Sequence, residues 1–189
     1  AMLLVASDGY DVRDEEAARF DEVAQRAGAI VAILSKVPNQ PLYNGLKEDG
    51  LIAFTLDQYL KTGDATWPLL FPMVKSAVRA MDALQTFARQ EFDQRIDRFV
   101  VSGASKRGWT SWLTAAVDAR VVGIAPMVID MLNMKAQLDW TEKMYGQQSD
   151  EISEYTDLKL HQKLDDPPMQ LLRAWVDPYS YRQSYTMPK

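Results

Sequence analysis

The stretch Gly103-Ala104-Ser105-Lys106-Arg107-Gly108 constrains this chain more than any other. It follows the apolar run Phe99-Val100-Val101 and leads into Trp109-Thr110-Ser111-Trp112-Leu113, which reads as the start of a helix. A buried strand that turns at once into a helix needs small residues, because only they let the two backbones pass closely. Such a turn lifts the serine hydroxyl clear of the sheet. The next residue then presents its backbone N–H, at a helix N-terminus, to any negative charge that develops there. The spacing is G-x-S-x-x-G, with Arg107 standing where the commoner G-x-S-x-G turn has its second glycine.

The rest of the chain alternates between strands and helices, a pattern that predicts a mostly parallel sheet with helices on both faces. Residues 2–6 read as a first strand, followed by the polar turn Ser7-Asp8-Gly9-Tyr10-Asp11. A helix then starts at Asp14-Glu15-Glu16, with an apolar stripe of Ala17, Phe20, Val23, Ala24 and Ala27 and a stop at Gly28. Residues 29–34 are apolar throughout, as expected of a central parallel strand. A helix is expected near residues 51–60. A longer one begins at Trp67-Pro68 and carries Leu70, Val74, Ala77, Met81, Leu84 and Ala88 at helical spacing. The strand at 96–101 leads into the serine turn, and the helix beyond it is expected to bury Trp109, Trp112, Leu113, Ala116 and Val117. Residues 121–128 read as a fourth strand whose end frays at Pro126.

This order, with a serine turn between strand and helix, is that of an α/β-hydrolase and its nucleophile elbow. Between Asp130 and about Trp175 the pattern is helical, with segments at 133–145, 152–164 and 168–176. Residues 130–176 are therefore expected to form a helical cap inserted after the strand that follows the elbow. The chain opens on a strand and stops at residues 185–189, where another could begin, so residues 1–189 read as a partial α/β-hydrolase domain.

Composition narrows the function classes. The 189 residues are 47% hydrophobic and 25% charged, enough for a real core, and the net charge of −5 argues against a general nucleic-acid surface. No apolar run approaches the roughly 18 residues of a membrane span. With no cysteine there is no thiolate nucleophile or thiolate metal site. No metal-ligand spacing and no phosphate- or dinucleotide-binding fingerprint is present, so no cofactor is expected.

Several long words resemble the PhoPQ-activated pathogenicity-related proteins. They are Ser102 to Trp112 around the serine, Ala125-Pro126-Met127-Val128-Ile129-Asp130-Met131-Leu132-Asn133, the stretch from Asp64 to Val74, and Asp177-Pro178-Tyr179-Ser180-Tyr181-Arg182. The resemblance spans nearly the whole chain. It implies a serine-hydrolase core within the α/β-hydrolase superfamily and an exported bacterial protein. It also implies a triad acid and histidine that lie beyond Lys189, and it names no substrate.

The candidate chemistry follows. Ser105 is either an acyl-transfer nucleophile, needing a base to take its proton, or a serine that simply makes a tight turn. The oxyanion would be held by the Lys106 N–H together with that of Gly9 or Tyr10, from the loop after the first strand. Lys106 and Arg107 are cations at a helix start, where the dipole opposes them. The basic pair therefore either meets an anionic substrate group, with Arg107 as the contact, or the oxyanion itself, or closes a salt bridge to one of the chain's 26 acids. Asp130 is either a triad acid or the cap of the next helix through the N–H of Asn133 or Met134. His161, the chain's one histidine, lies in a charged segment and reads as a solvated surface residue rather than the base. Trp109 and Trp112 read as core. Two functions remain: a hydrolase cleaving ester or amide bonds of a small-molecule or peptide substrate, and a non-catalytic binding or scaffold protein that keeps the fold.

Overall fold

A computed structural model describes the backbone of residues 1–5 and 14–189 and the side chains of residues 1–2 and 20–189. Among these residues the chain is mixed α/β. Four parallel strands, β1 (Met2–Val5), β2 (Val31–Leu34), β3 (Phe99–Ala104) and β4 (Val121–Met127), form one sheet in the order β2-β1-β3-β4. Seven α-helices are described: α1 (Asp14–Ala27), α2 (Glu48–Thr62), α3 (Leu70–Phe92), α4 (Lys106–Val117), α5 (Met134–Tyr145), α6 (Ser153–Asp157) and α7 (Pro167–Val176). The chain divides into two compact units, one of residues 1–40, 72–129 and 185–189, the other of residues 41–71 and 130–184. No described helix is long and apolar enough to cross a membrane.

The first unit is built on the sheet. β3 lies between β1 and β4, and its Phe99 and Val101 are fully buried. α4 packs on β1, β3 and β4 and buries Trp109, Trp112 and Leu113. Tyr185 closes over Trp112, with ring centroids 5.0 Å apart and its Oη donating to the Trp112 carbonyl at 3.0 Å. α3 contributes Met73, Ala77, Met81 and Ala88, spaced one, one and two helical turns apart, to the buried face.

Among the described strands the apolar run ending at Leu34 stands at one end of the sheet order, and all four residues of β2 are half-buried. Of the α1 stripe, Phe20 and Ala24 are half-buried while Val23 and Ala27 are exposed; Ala17 lies outside the described side chains. Val117 is 62% exposed and Ala116 half-buried, at the last two positions of α4. β3 starts at Phe99 rather than near residue 96, since the Ile96 carbonyl is taken by the Gln85 side chain at 2.6 Å. β4 does not fray at Pro126, which pairs with Gly103. The Ile124 N–H points away from β3, to the Pro188 carbonyl at 3.1 Å. Residues two apart in a strand point the same way, so the nitrogen of Pro126 also faces that outer edge and no β3–β4 bond is lost.

The second unit is mainly helical. α2 buries Leu51, Ile52, Ala53, Leu56 and Tyr59, and α7 buries Met169, Leu172 and Val176. α3 begins at Leu70, not at Trp67-Pro68. The Leu69 N–H is drawn to the Thr55 Oγ1 at 3.2 Å, and a single turn from Phe71 to the Pro68 carbonyl precedes the helix. The helix expected at 152–164 is broken into short pieces. Lys159 adopts a left-handed conformation (φ 55°), and tighter i to i−3 bonds such as Lys159 N–H to Thr156 O replace the α-helical ladder. Two carboxylates of α2 tie it to this segment, through Tyr155 and through Lys163. Tyr155 Oη donates to Asp49 at 2.9 Å, and the nearly buried Asp57 carboxylate meets Lys61 at 2.5 Å and Lys163 at 3.6 Å.

One ionic network gives a test of the first unit. Arg120 donates to Asp118 (2.6 Å), Asp82 (2.8 Å) and Gln85 (2.7 Å), fixing the turn before β4 against α3. Hydrogen bonds from Arg120 hold the Asp118 carboxyl below its ordinary value, and those from Arg79 and then Arg120 do the same for Asp82. Because both folded values are depressed, the stability they supply is complete above the ordinary value of 3.8 and is lost as pH falls through the lower folded values. Arg120→Ala should cost about 1–3 kcal/mol at neutral pH. It should also flatten the acid limb of the stability profile, as measured by urea unfolding between about pH 7 and about pH 3.

Candidate active site

The sheet order sets where a ligand site belongs. β1 has β2 on one side and β3 on the other, so the direction of winding reverses between β1 and β3. In open parallel sheets a crevice forms outside the carboxyl ends of the strands at such a reversal. Val5, the last residue of β1, is in register with Gly103 of β3. Ser105 stands two residues beyond, where β3 passes into α4.

Ser105 has φ 52° and ψ −125°, a conformation suited to glycine, and it is half-buried. A non-glycine residue held there costs about 1–3 kcal/mol and persists only where its surroundings over-determine the backbone. Two hydrogen bonds do so. The Ser105 N–H donates to the Met127 carbonyl of β4 at 2.8 Å, and the Ser105 carbonyl accepts the Trp109 N–H at 3.0 Å to start the helix. The hydroxyl makes no capping bond to its own helix, although serine at that position commonly does.

The two glycines of the turn explain its shifted spacing. A Cβ on Gly103 would lie 2.7 Å from the backbone C and O of Arg107. A Cβ on Gly108 would lie 2.7 Å from the Ile129 side chain and 3.0 Å from the Gly103 carbonyl. Gly108 is thus the residue of α4 that lets the helix touch β3. Arg107, one step earlier, is turned inward instead. It is only 2% exposed, and its Nε donates to the Val37 carbonyl at 3.0 Å. Lys106 opens α4 and is also buried. Its backbone N–H is at the first helical position, where such groups point out along the helix axis.

Other expected residues fall elsewhere. Gly9 and Tyr10 lie outside the described residues. Asp130 does not cap the next helix. It is exposed, and its Oδ1 accepts a bond from Gln137 Nε2 at 3.4 Å. The capping acceptor is Asp177, which no local signal assigns to that role. Its carboxylate accepts from Asn133 N–H (3.1 Å), Met134 N–H (2.7 Å) and Tyr179 N–H (2.9 Å) while nearly buried. An aspartate before proline signals a turn, which the Tyr179 bond makes, but nothing local marks a partner 44 residues earlier. His161 is not a solvated surface residue. It is half-buried, and its Nδ1 is shut from solvent with no hydrogen-bond partner among the described residues. No group of His, Asp or Glu suited to a metal ion occurs among the described residues.

Asp177→Ala would leave three N–H groups without their acceptor and should destabilise the chain by about 1–3 kcal/mol, measured by denaturant unfolding. Gly50→Ala, at a helix position with only an ordinary contact to Glu154 at 3.8 Å, should gain up to about 1 kcal/mol. Gly108→Ala should instead lose about 1–3 kcal/mol through overpacking, although it too is a helical glycine. At the strained turn, Ser105→Gly should melt higher than Ser105→Ala, by about 1 kcal/mol of stability.

Comparison with known proteins agrees with the sequence words quoted above. A protein of Dictyostelium discoideum named autocrine proliferation repressor protein A is 36% identical over 189 residues, which covers 97% of this chain and 38% of that protein. The chain therefore spans well under half the length of this curated relative. No solved structure matches the chain significantly. The PhoPQ-activated pathogenicity-related protein family matches residues 1–189, and the chain belongs to that family.

Proposed function

We propose that this chain supplies the nucleophile of a serine hydrolase of the α/β-hydrolase type, cleaving an ester or amide bond through an acyl-enzyme at Ser105. The observation that carries the reading is the strained backbone of Ser105 at the carboxyl end of β3, beside the reversal in strand order. In this reading the turn from β3 to α4 is a nucleophile elbow. Ser105 Oγ attacks the substrate carbonyl and its proton passes to a base. The Lys106 N–H stabilises the oxyanion, joined by a donor from residues 9–10. The base returns that proton to the leaving group as the tetrahedral adduct collapses, and the acyl-enzyme that remains is cleaved by a water the same base deprotonates. Residues 130–176 act as the cap. The base and the acid come from the part of the protein outside this chain, consistent with a relative more than twice as long.

A second reading is a non-catalytic scaffold on the same fold. It is favoured by the chain's one histidine, His161, whose Nδ1 is sequestered, and by the relative's naming as a repressor.

The full-length protein should be labelled at Ser105 by a fluorophosphonate, a probe that reacts only with activated serines, and Ser105→Ala should abolish the label. Equal labelling of parent and Ser105→Ala would remove Ser105 as nucleophile. No labelling of either would favour the scaffold.

A further inference from the structure

Arg107 occupies a position that electrostatics alone disfavours. A guanidinium at the second residue of a helix opposes the dipole, and burying it removes its hydration. With 2% of its surface exposed, it has almost none to offer a substrate. What the side chain does is cross to another segment. Its Nε–H donates at 3.0 Å to the carbonyl of Val37, 70 residues earlier, in the stretch that follows β2. Val37 is itself 4% exposed, so this bond is made out of water, where a charge-assisted bond holds most firmly.

The backbone of Arg107 is equally engaged. Its C and O atoms sit 2.7 Å from where a Cβ of Gly103 would be, so the first turn of α4 is seated directly on the end of β3. The Ser111 hydroxyl donates to the Arg107 carbonyl at 2.8 Å and adds a second hold on the same peptide. Ser105 is two residues away, in a conformation that survives only while its neighbours cannot move.

We infer that Arg107 is a positioning residue rather than a substrate contact. Its buried side chain clamps residues 35–38 to the first turn of α4 and thereby keeps Ser105 in its strained backbone conformation. The inference rests on Ser105 being the reactive group, and it adds that the reactivity depends on a bond made on the far side of the turn.

The test compares the full-length parent, Arg107→Met, which keeps length and apolar bulk but has no donor, and Met81→Ala, which opens the core under α3 and leaves the clamp alone. Two quantities are read: the rate of fluorophosphonate labelling at Ser105, and amide hydrogen exchange of residues 35–40 and 103–108. Arg107→Met should label about 10- to 100-fold more slowly, as expected for a small displacement of a reacting group. It should also exchange faster in both segments, while Met81→Ala labels at the parent rate. Unchanged exchange in Arg107→Met would overturn the clamp. Faster exchange with unchanged labelling would overturn its role in positioning Ser105. If the parent itself is not labelled, the hydrolase reading and the positioning role fall together, and exchange alone decides the clamp.

Discussion

The close passage of β3 and α4 at Gly103 and Gly108 is the constraint on which the first unit depends. Helix and strand meet there with backbone atoms nearer than any side chain would allow. Because they meet so closely, the connecting residue must take a left-handed backbone, and that residue is Ser105. β4 completes the arrangement from the other side through the Met127 carbonyl. The strain is therefore a consequence of packing, held in place by two hydrogen bonds and two absent side chains.

Around this turn the buried polar groups are matched rather than avoided. Ser102 donates from β3 to the Ala125 carbonyl at 2.6 Å, Thr110 and Ser111 bond back to the preceding helical turn, and Arg107 reaches Val37. Such hydroxyl bonds within a helix slightly loosen its ladder, but in a buried helix they keep polar atoms from going unpaired. The result is a helix start rich in polar residues that is nonetheless nearly closed to solvent.

The second unit solves a different problem. Between its longer helices, residues 150–163 form only short helical pieces. Single carboxylates serve as junctions. Asp177 gathers three N–H groups from two segments, Asp49 receives Tyr155, and Asp57 meets two lysines. Burial and the Asp49 charge push the Tyr155 hydroxyl well above its ordinary value, so it remains a donor throughout the physiological range. The aromatic contacts of Tyr59 and Phe71 with Trp175 supply the apolar counterpart.

The amino-acid sequence by itself determined the alternation of strands and helices, the serine turn and the family. These features rest on local periodicity and on small residues at fixed offsets, which neighbours along the chain decide. It also marked Trp109 and Trp112 as core, since their spacing follows one helical face. Only the tertiary structure decided that β2 pairs with β1 at one end of the described strand order, because an apolar run reads the same at any place in a sheet. Only it gave Asp177, rather than Asp130, the N-terminus of α5. Both are aspartates near a helix start, and the choice depends on a partner brought from 44 residues away. The same holds for Arg107. Its charge is plain in the sequence, but whether a cation faces solvent, substrate or a distant carbonyl is settled by which segment the fold lays against it.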